Sequence, residues 1–152
     1  MTKKTEKQDI TFSIKGVELL ETHIEQLKSP ITGAVKFNFN INVEIKILND
    51  NNLLFSIVTV EISDLETSLK YGSLKVNIVF SIENINSFIN SKTGRIVLPK
   101  NFVTSINSIS ISTTRGVMFG VFRGTFLHGA TLPIIDPTIL SEQKTVELGK
   151  KE

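Results

Sequence analysis

The sequence contains no cysteine and no tryptophan, and it has only two histidines, four prolines and one tyrosine. Without cysteine there is no disulfide, thiolate-bound metal, iron–sulfur cluster or cysteine nucleophile. His23 and His128 are too few for a zinc site built mainly from imidazoles. No window approaches the roughly 18 uninterrupted apolar residues that a membrane-spanning helix needs. The polar, lysine-bearing residues 1–9 are followed by an alternating pattern instead of the apolar run of a secretory leader. These absences lead to an expectation of a cytoplasmic protein without membrane insertion. The net charge of +2 is too nearly balanced to imply nucleic-acid binding. Gly-x-Ser-x-Gly, P-loop and Gly-x-Gly-x-x-Gly patterns are also missing.

At 152 residues the chain suits one domain with a full core. The expected layout is a flexible N-terminus over 1–9, a single domain over 10–140 and a flexible charged tail over 141–152. Alternation dominates the first two-thirds. Ile10, Phe12 and Ile14 share one face, and Val17 and Leu19 continue on the opposite parity after Gly16, which suggests a β-bulge. From Val35 to Ile47 every second residue is apolar, with lysine, asparagine and glutamate between. Such a period of two predicts a long strand with one buried face. Residues 49–52 (Asn-Asp-Asn-Asn) read as a hairpin turn, residues 54–65 as a third strand and Tyr71-Gly72-Ser73 as the next turn. A fourth strand points Leu74, Val76, Ile78, Phe80 and Ile82 inward. Short turns between long strands predict an antiparallel meander.

Residues 84–94 are mostly polar, with Phe88 and Ile89 standing out as apolar, and read as a connection. Pro99 then permits a helix to begin. Phe102, Ile106 and Ile109 follow helical spacing, with Thr113 and Val117 extending the row. Residues 108–114, however, are rich in β-branched side chains and alternate. Pattern alone leaves this segment open between helix and strand. Either way, residues 101–114 carry no charge, which suits burial on most sides better than a solvated helix face. Gly116, Gly120 and Gly124 read as the glycine-rich end of a helix running into a loop. Residues 117–124 stay open between helix and loop. Pro137 is placed to start a last short helix, with Asp136 as its cap.

No catalytic constellation emerges. His23 lies in a charged stretch, and neither it nor His128 has an evident partner to make it a useful base. Phe37, Phe39 and Phe80 occupy inward strand positions and read as core, not as stacking platforms for bases. What remains is surplus apolar surface at Phe88 and Ile89, at 117–122 and at 132–135. It either closes the second side of the core or lines a groove for extended polypeptide.

The order of elements, together with Thr114-Arg115-Gly116 and the Leu132-Pro133-Ile134-Ile135-Asp136 stretch, resembles the SecB protein-export chaperone family. In that family a Ser/Thr-Arg-Gly triplet ends the long helix, and a proline-containing apolar loop and a final helix follow. The resemblance spans residues 10–140. It implies an α+β fold: a four-stranded antiparallel sheet, a crossover, one long helix from Pro99 and a short C-terminal helix. It further implies a homotetramer built as a dimer of dimers, with first strands paired edge to edge and the uncharged helix sandwiched between subunits. The implied activity is ATP-independent holding of unfolded polypeptide or preprotein, with no cofactor, metal or catalytic residue. Carried to this chain, the client contacts are Phe88, Ile89, Phe102, Met118, Leu132, Ile134 and Ile135.

Two features depart from the pattern. About eight extra residues, 117–124, separate the triplet from the proline loop. Members that deliver cargo to the export motor ATPase are strongly acidic, whereas this chain is slightly basic, with Asn38, Asn40, Asn42 and Asn77 at outward sheet positions. A SecB-like chaperone dedicated to one client, such as an antitoxin, is therefore the first alternative. A structural or small-ligand-binding β domain without chaperone activity is the second.

Overall fold

A computed structural model describes residues 9–141 and 147–148. The expected loose terminus falls almost wholly outside the described residues, as does most of the expected tail. The four long strands are β1 (Phe12–Ile24), β2 (Phe37–Leu48), β3 (Leu53–Asp64) and β4 (Lys70–Ile82). All pair antiparallel, and a two-residue β5 (Glu147–Leu148) adds parallel to β2, for a spatial order β1-β4-β3-β2-β5. The helices are α1 (Lys100–Val121) and α2 (Pro137–Ser141).

The sheet departs from a plain meander. β2, β3 and β4 follow one another as expected, but β1 pairs with β4 at the far edge. The segment 25–36 runs from one edge of the sheet to the other. Twelve residues easily cross three strand spacings of about 4.8 Å each, so alternation that dictates a face leaves the neighbour undecided. The expected bulge is present: the β1–β4 register slips between Ile14 and Gly16, and again between Leu19 and Glu21.

The β2–β3 turn is a short 3-10 turn (Asn49–Asn51) closed by Asn52 at φ 54°. The β3–β4 turn lies at residues 65–69, not at Tyr71-Gly72-Ser73, which sit inside β4. Asp64 organises that turn. Its Oδ1 accepts the N–H groups of Glu66 and Thr67 at 2.9 Å each, and its Oδ2 accepts the Tyr71 hydroxyl at 2.8 Å. The Thr67 N–H leads these contacts in holding the Asp64 carboxyl below its ordinary range. Gly72 is in a strand because nothing larger fits. A Cβ there would lie 2.5 Å from the His23 carbonyl oxygen and 2.9 Å from Leu127.

The inner sheet face is apolar along every long strand. Ile45, Ile47, Leu54, Val58, Val60, Leu74, Val76, Ile78 and Phe80 are all buried. α1 lies across β3 and β4. Its buried row is Phe102, Ile106, Ser110, Thr114 and Met118, spaced by four, with Val103, Asn107 and Ile111 beside it. Ile109, Thr113 and Val117, expected in the inward row, lie half-buried on its flank. The β-branched run is helical all the same, since burial against a sheet outweighs a propensity difference below about 1 kcal/mol per residue. The helix continues beyond Thr114-Arg115-Gly116, so most of the extra residues lengthen it. Gly124, at φ 78°, turns the chain away. Phe12, Phe80 and Phe102 pack edge to face at one end, with centroids 6.1 and 5.2 Å apart.

Gly72→Ala is expected to cost about 1–3 kcal/mol through overpacking. Gly16→Ala, with open space around the added methyl, should be close to neutral. Urea denaturation of the two variants measures the contrast.

Candidate functional site

The layer above the sheet begins with the crossover. Asn84 at φ 57° turns the chain out of β4 into a 3-10 turn, Ile85–Phe88. An isolated bridge, Ile89 to Ile96, then closes a small loop, and the Val97 N–H donates to the Phe88 carbonyl at 2.9 Å. Ile85, Ile96 and Leu98 are buried, while Ile89 and Val97 remain 38% and 61% exposed. Alternation within the loop thus sends one set of apolar side chains down and another out.

A second unit lies alongside the far half of α1. The Arg115 guanidinium donates from Nε to the Leu132 carbonyl and from Nη2 to the Pro133 carbonyl, both at 2.9 Å. These are charge-assisted bonds to main chain that no strand pairs. They fix the orientation of the loop. Leu132 points into the core, Ile135 packs half-buried against it and Ile134 is 96% exposed. Beyond it, Asp136 caps α2 as expected. Its Oδ1 accepts the Thr138 N–H at 2.9 Å and the Thr138 hydroxyl at 2.6 Å. These two bonds, the hydroxyl first, hold its carboxyl below the usual range.

Between α1 and the loop after it lies a recess of about 380 Å³, lined by Ser112, Arg115, Gly116, Phe119, His128 and Thr131. Phe119 is 62% exposed, and its ring lies 5.4 Å from that of His128. On β1, Ile14, Val17 and Leu19 stand opposite Phe80, Ile78 and Val76, and so share the core face. The helix does not reach them, and they stay 44–48% exposed.

The sequence-derived candidates therefore divide. Phe102, Met118 and Leu132 are 6%, 1% and 2% exposed, inside the protomer. Phe88 is half-buried and Ile89 exposed in the crossover, near the start of α1; Ile134 and Ile135 lie in the proline loop, beside its second half. Two apolar rims thus flank a helix about 33 Å long. Sequence reasoning held Phe119 within the surplus apolar stretch 117–122 but singled out Met118 there, and it passed over Val97 and the β1 row. Extending Phe102–Ile106 by steps of four puts Met118 inward and Phe119 outward, so that signal was available. The β1 row gave none, because its residues have core parity and are exposed only by the helix's position.

Among the described residues, no cluster of histidines and carboxylates is placed to hold a metal ion. His23 bonds to Glu25 at 3.0 Å on the surface.

Arg115→Met should raise amide exchange at residues 132–136 and cost about 1–3 kcal/mol, read by exchange mass spectrometry and urea denaturation. The Asp136 cap contributes stability at pH above the ordinary carboxylate range, lost as pH falls through its lowered pKa. Asp136→Asn retains a neutral cap, so the stability gap between wild type and variant should shrink on acidification from pH 7 to 3, followed by thermal melts.

No protein-family model matches the chain, and no curated protein is significantly similar in sequence. Among solved structures, it is similar to the Mycobacterium tuberculosis SecB-like chaperone in complex with a ChAD peptide from the HigA1 antitoxin. The two superpose with a TM-score of 0.58 at 10% identity, over 82% of this chain and 89% of that one. At that identity the likeness concerns architecture: a four-stranded antiparallel sheet with one long helix and one short helix. The chain has the α+β fold of the SecB-like chaperones.

Proposed function

We propose that this protein is an ATP-independent holding chaperone that captures extended, non-native polypeptide along α1. The observation that carries this reading is Ile134. It is an apolar side chain 96% exposed on a main chain that Arg115 holds in place. A lone exposed isoleucine on a loose loop means little. One presented on a clamped backbone, with Ile135 beside it and Phe119 exposed one turn beyond the clamping Arg115, is suited to grip sequence-tolerant apolar segments. Phe88 and Ile89 form the second grip, at the crossover. Phe102, Met118 and Leu132 support both from beneath. No cofactor or catalytic residue is needed for such work.

The assembly that suits it is a homotetramer, a dimer of dimers. β1 is an edge strand of 13 residues, and a long unpaired edge calls for a cover. The outward stripe of α1 (Asn101, Ser105, Ser108, Ser112 and Gly116) is small and uncharged. The Ser105 hydroxyl turns back to its own helix, donating to the Asn101 carbonyl at 3.1 Å. Such a stripe permits close approach of a second layer. A dedicated client such as an antitoxin is the second reading, favoured by the antitoxin peptide in the mycobacterial complex.

The purified protein should suppress aggregation of a chemically unfolded model protein on dilution. Ile134→Ser should weaken that suppression several-fold while changing stability by no more than about 0.5 kcal/mol, as for an exposed site. Full suppression by this variant would overturn the assignment of Ile134 as a contact.

A further inference from the structure

The charge of the chain is segregated by layer. Between Glu83 and Asp136 there is no acidic residue, whereas Lys92, Arg95, Lys100, Arg115 and Arg123 fall within that interval. Of the fifteen acidic residues, Asp136 is the one among the described residues that stands in this layer, at the cap of α2; the others lie in or next to the strands and their turns, or toward the two ends of the sequence. The near-neutral whole thus conceals an upper layer with a net positive charge, five cations against Asp136 among the described residues, and that layer also presents the exposed apolar side chains.

The basic groups stand among those side chains. Lys92 and Arg95 belong to the crossover loop that carries Ile89 and Val97. Arg115 precedes Phe119 by one turn of α1, and Arg123 follows just beyond the helix end. Arg115 holds the loop that presents Ile134. Among the described residues Lys92, Arg95 and Arg123 are exposed and make no ion pair. Lys36 pairs with Glu66 and Lys46 with Glu44, both on the sheet side. Asp136 at the cap of α2 offsets only part of this charge, and an incoming anionic group meets a net positive field.

We infer that the occupant of this surface is an extended apolar polypeptide segment bearing acidic side chains. Acidic residues between apolar anchors would meet the cations, and basic ones would be repelled; like-charge rejection is as much a source of selectivity as attraction. This inference rests on the chaperone reading and specifies its client chemistry. A nucleic acid strand would also be drawn to positive charge. It fits less well, because the cations are widely spaced and only Phe119 and Phe126 expose aromatic rings among the described residues of the layer.

The test uses the full chain and three fluorescent peptides of equal length with the same leucine and phenylalanine anchors. The spacer residues are glutamate in one, lysine in the second and serine in the third; anisotropy gives the affinities. The glutamate peptide should bind about three- to tenfold more tightly than the serine peptide at low salt, and the lysine peptide more weakly than either. The spread should collapse near 1 M salt, where the screening length is about 3 Å. Lys92→Glu combined with Arg123→Glu should draw the glutamate-to-lysine affinity ratio toward one or invert it. Equal binding of all three peptides, or preference for the lysine peptide, overturns the charge assignment and leaves the holding activity standing. Failure of all three to bind overturns the chaperone reading, and the client chemistry with it. A labelled single-stranded oligonucleotide binding more tightly than the glutamate peptide would overturn the assignment in favour of a polyanion site.

Discussion

One helix cannot cover four strands. An α-helix with its side chains is about 10–12 Å across, while the outer strands of a four-stranded sheet lie about 14 Å apart, with side chains extending beyond them. α1 rests on β3 and β4, and the inner faces of the flanking strands must be closed by something else. On the β2 side Phe37, Phe39 and Ile41 are packed against the core but only half-buried. On the β1 side Ile14, Val17 and Leu19 are left in the open. The crossover, the proline loop and α2 fill the remaining gaps around the helix, each with one apolar set turned down and another turned out. The exposed apolar surface is thus a geometric consequence of the layer architecture.

Arg115 connects that geometry to use. Pro133 keeps the extended loop out of a helix, and without strand pairing the loop's carbonyls need other donors. The guanidinium fork supplies two of them from a rigid element. Leu132 is anchored inside as a result, and Ile134 is held outside. A lysine could not span both carbonyls in this way. The same side chain adds to the net positive charge of the layer, so the clamp and the electrostatics of the surface share a residue.

The uncharged span of α1 serves both of its faces. Inward, small residues such as Ser110 and Thr114 let the helix lie close to β3 and β4. The Thr114 hydroxyl is satisfied by the Ser110 carbonyl at 2.8 Å. Outward, serine and glycine leave a smooth stripe. The β-branched content that obscured this helix in the sequence reflects its burial: isoleucine packs well against a sheet, and the tertiary contact outweighs the local preference.

Local pattern was sufficient for much of this. Period-two alternation identified the buried faces of β2, β3 and β4, Gly16 marked a bulge, and Asp136 before Pro137 marked a capped helix, because each depends on residues adjacent in the chain. Thr114-Arg115-Gly116 and the proline loop pointed to the architecture, though not to the hydrogen bonds that join them. Three things came only from packing. β1 lies beside β4, a choice that twelve connecting residues leave free. Gly72 is a strand residue because the His23 carbonyl and Leu127 crowd it. The β1 row stays outside despite its core parity, because its exposure depends on where a distant helix comes to rest, and no short-range periodicity encodes that.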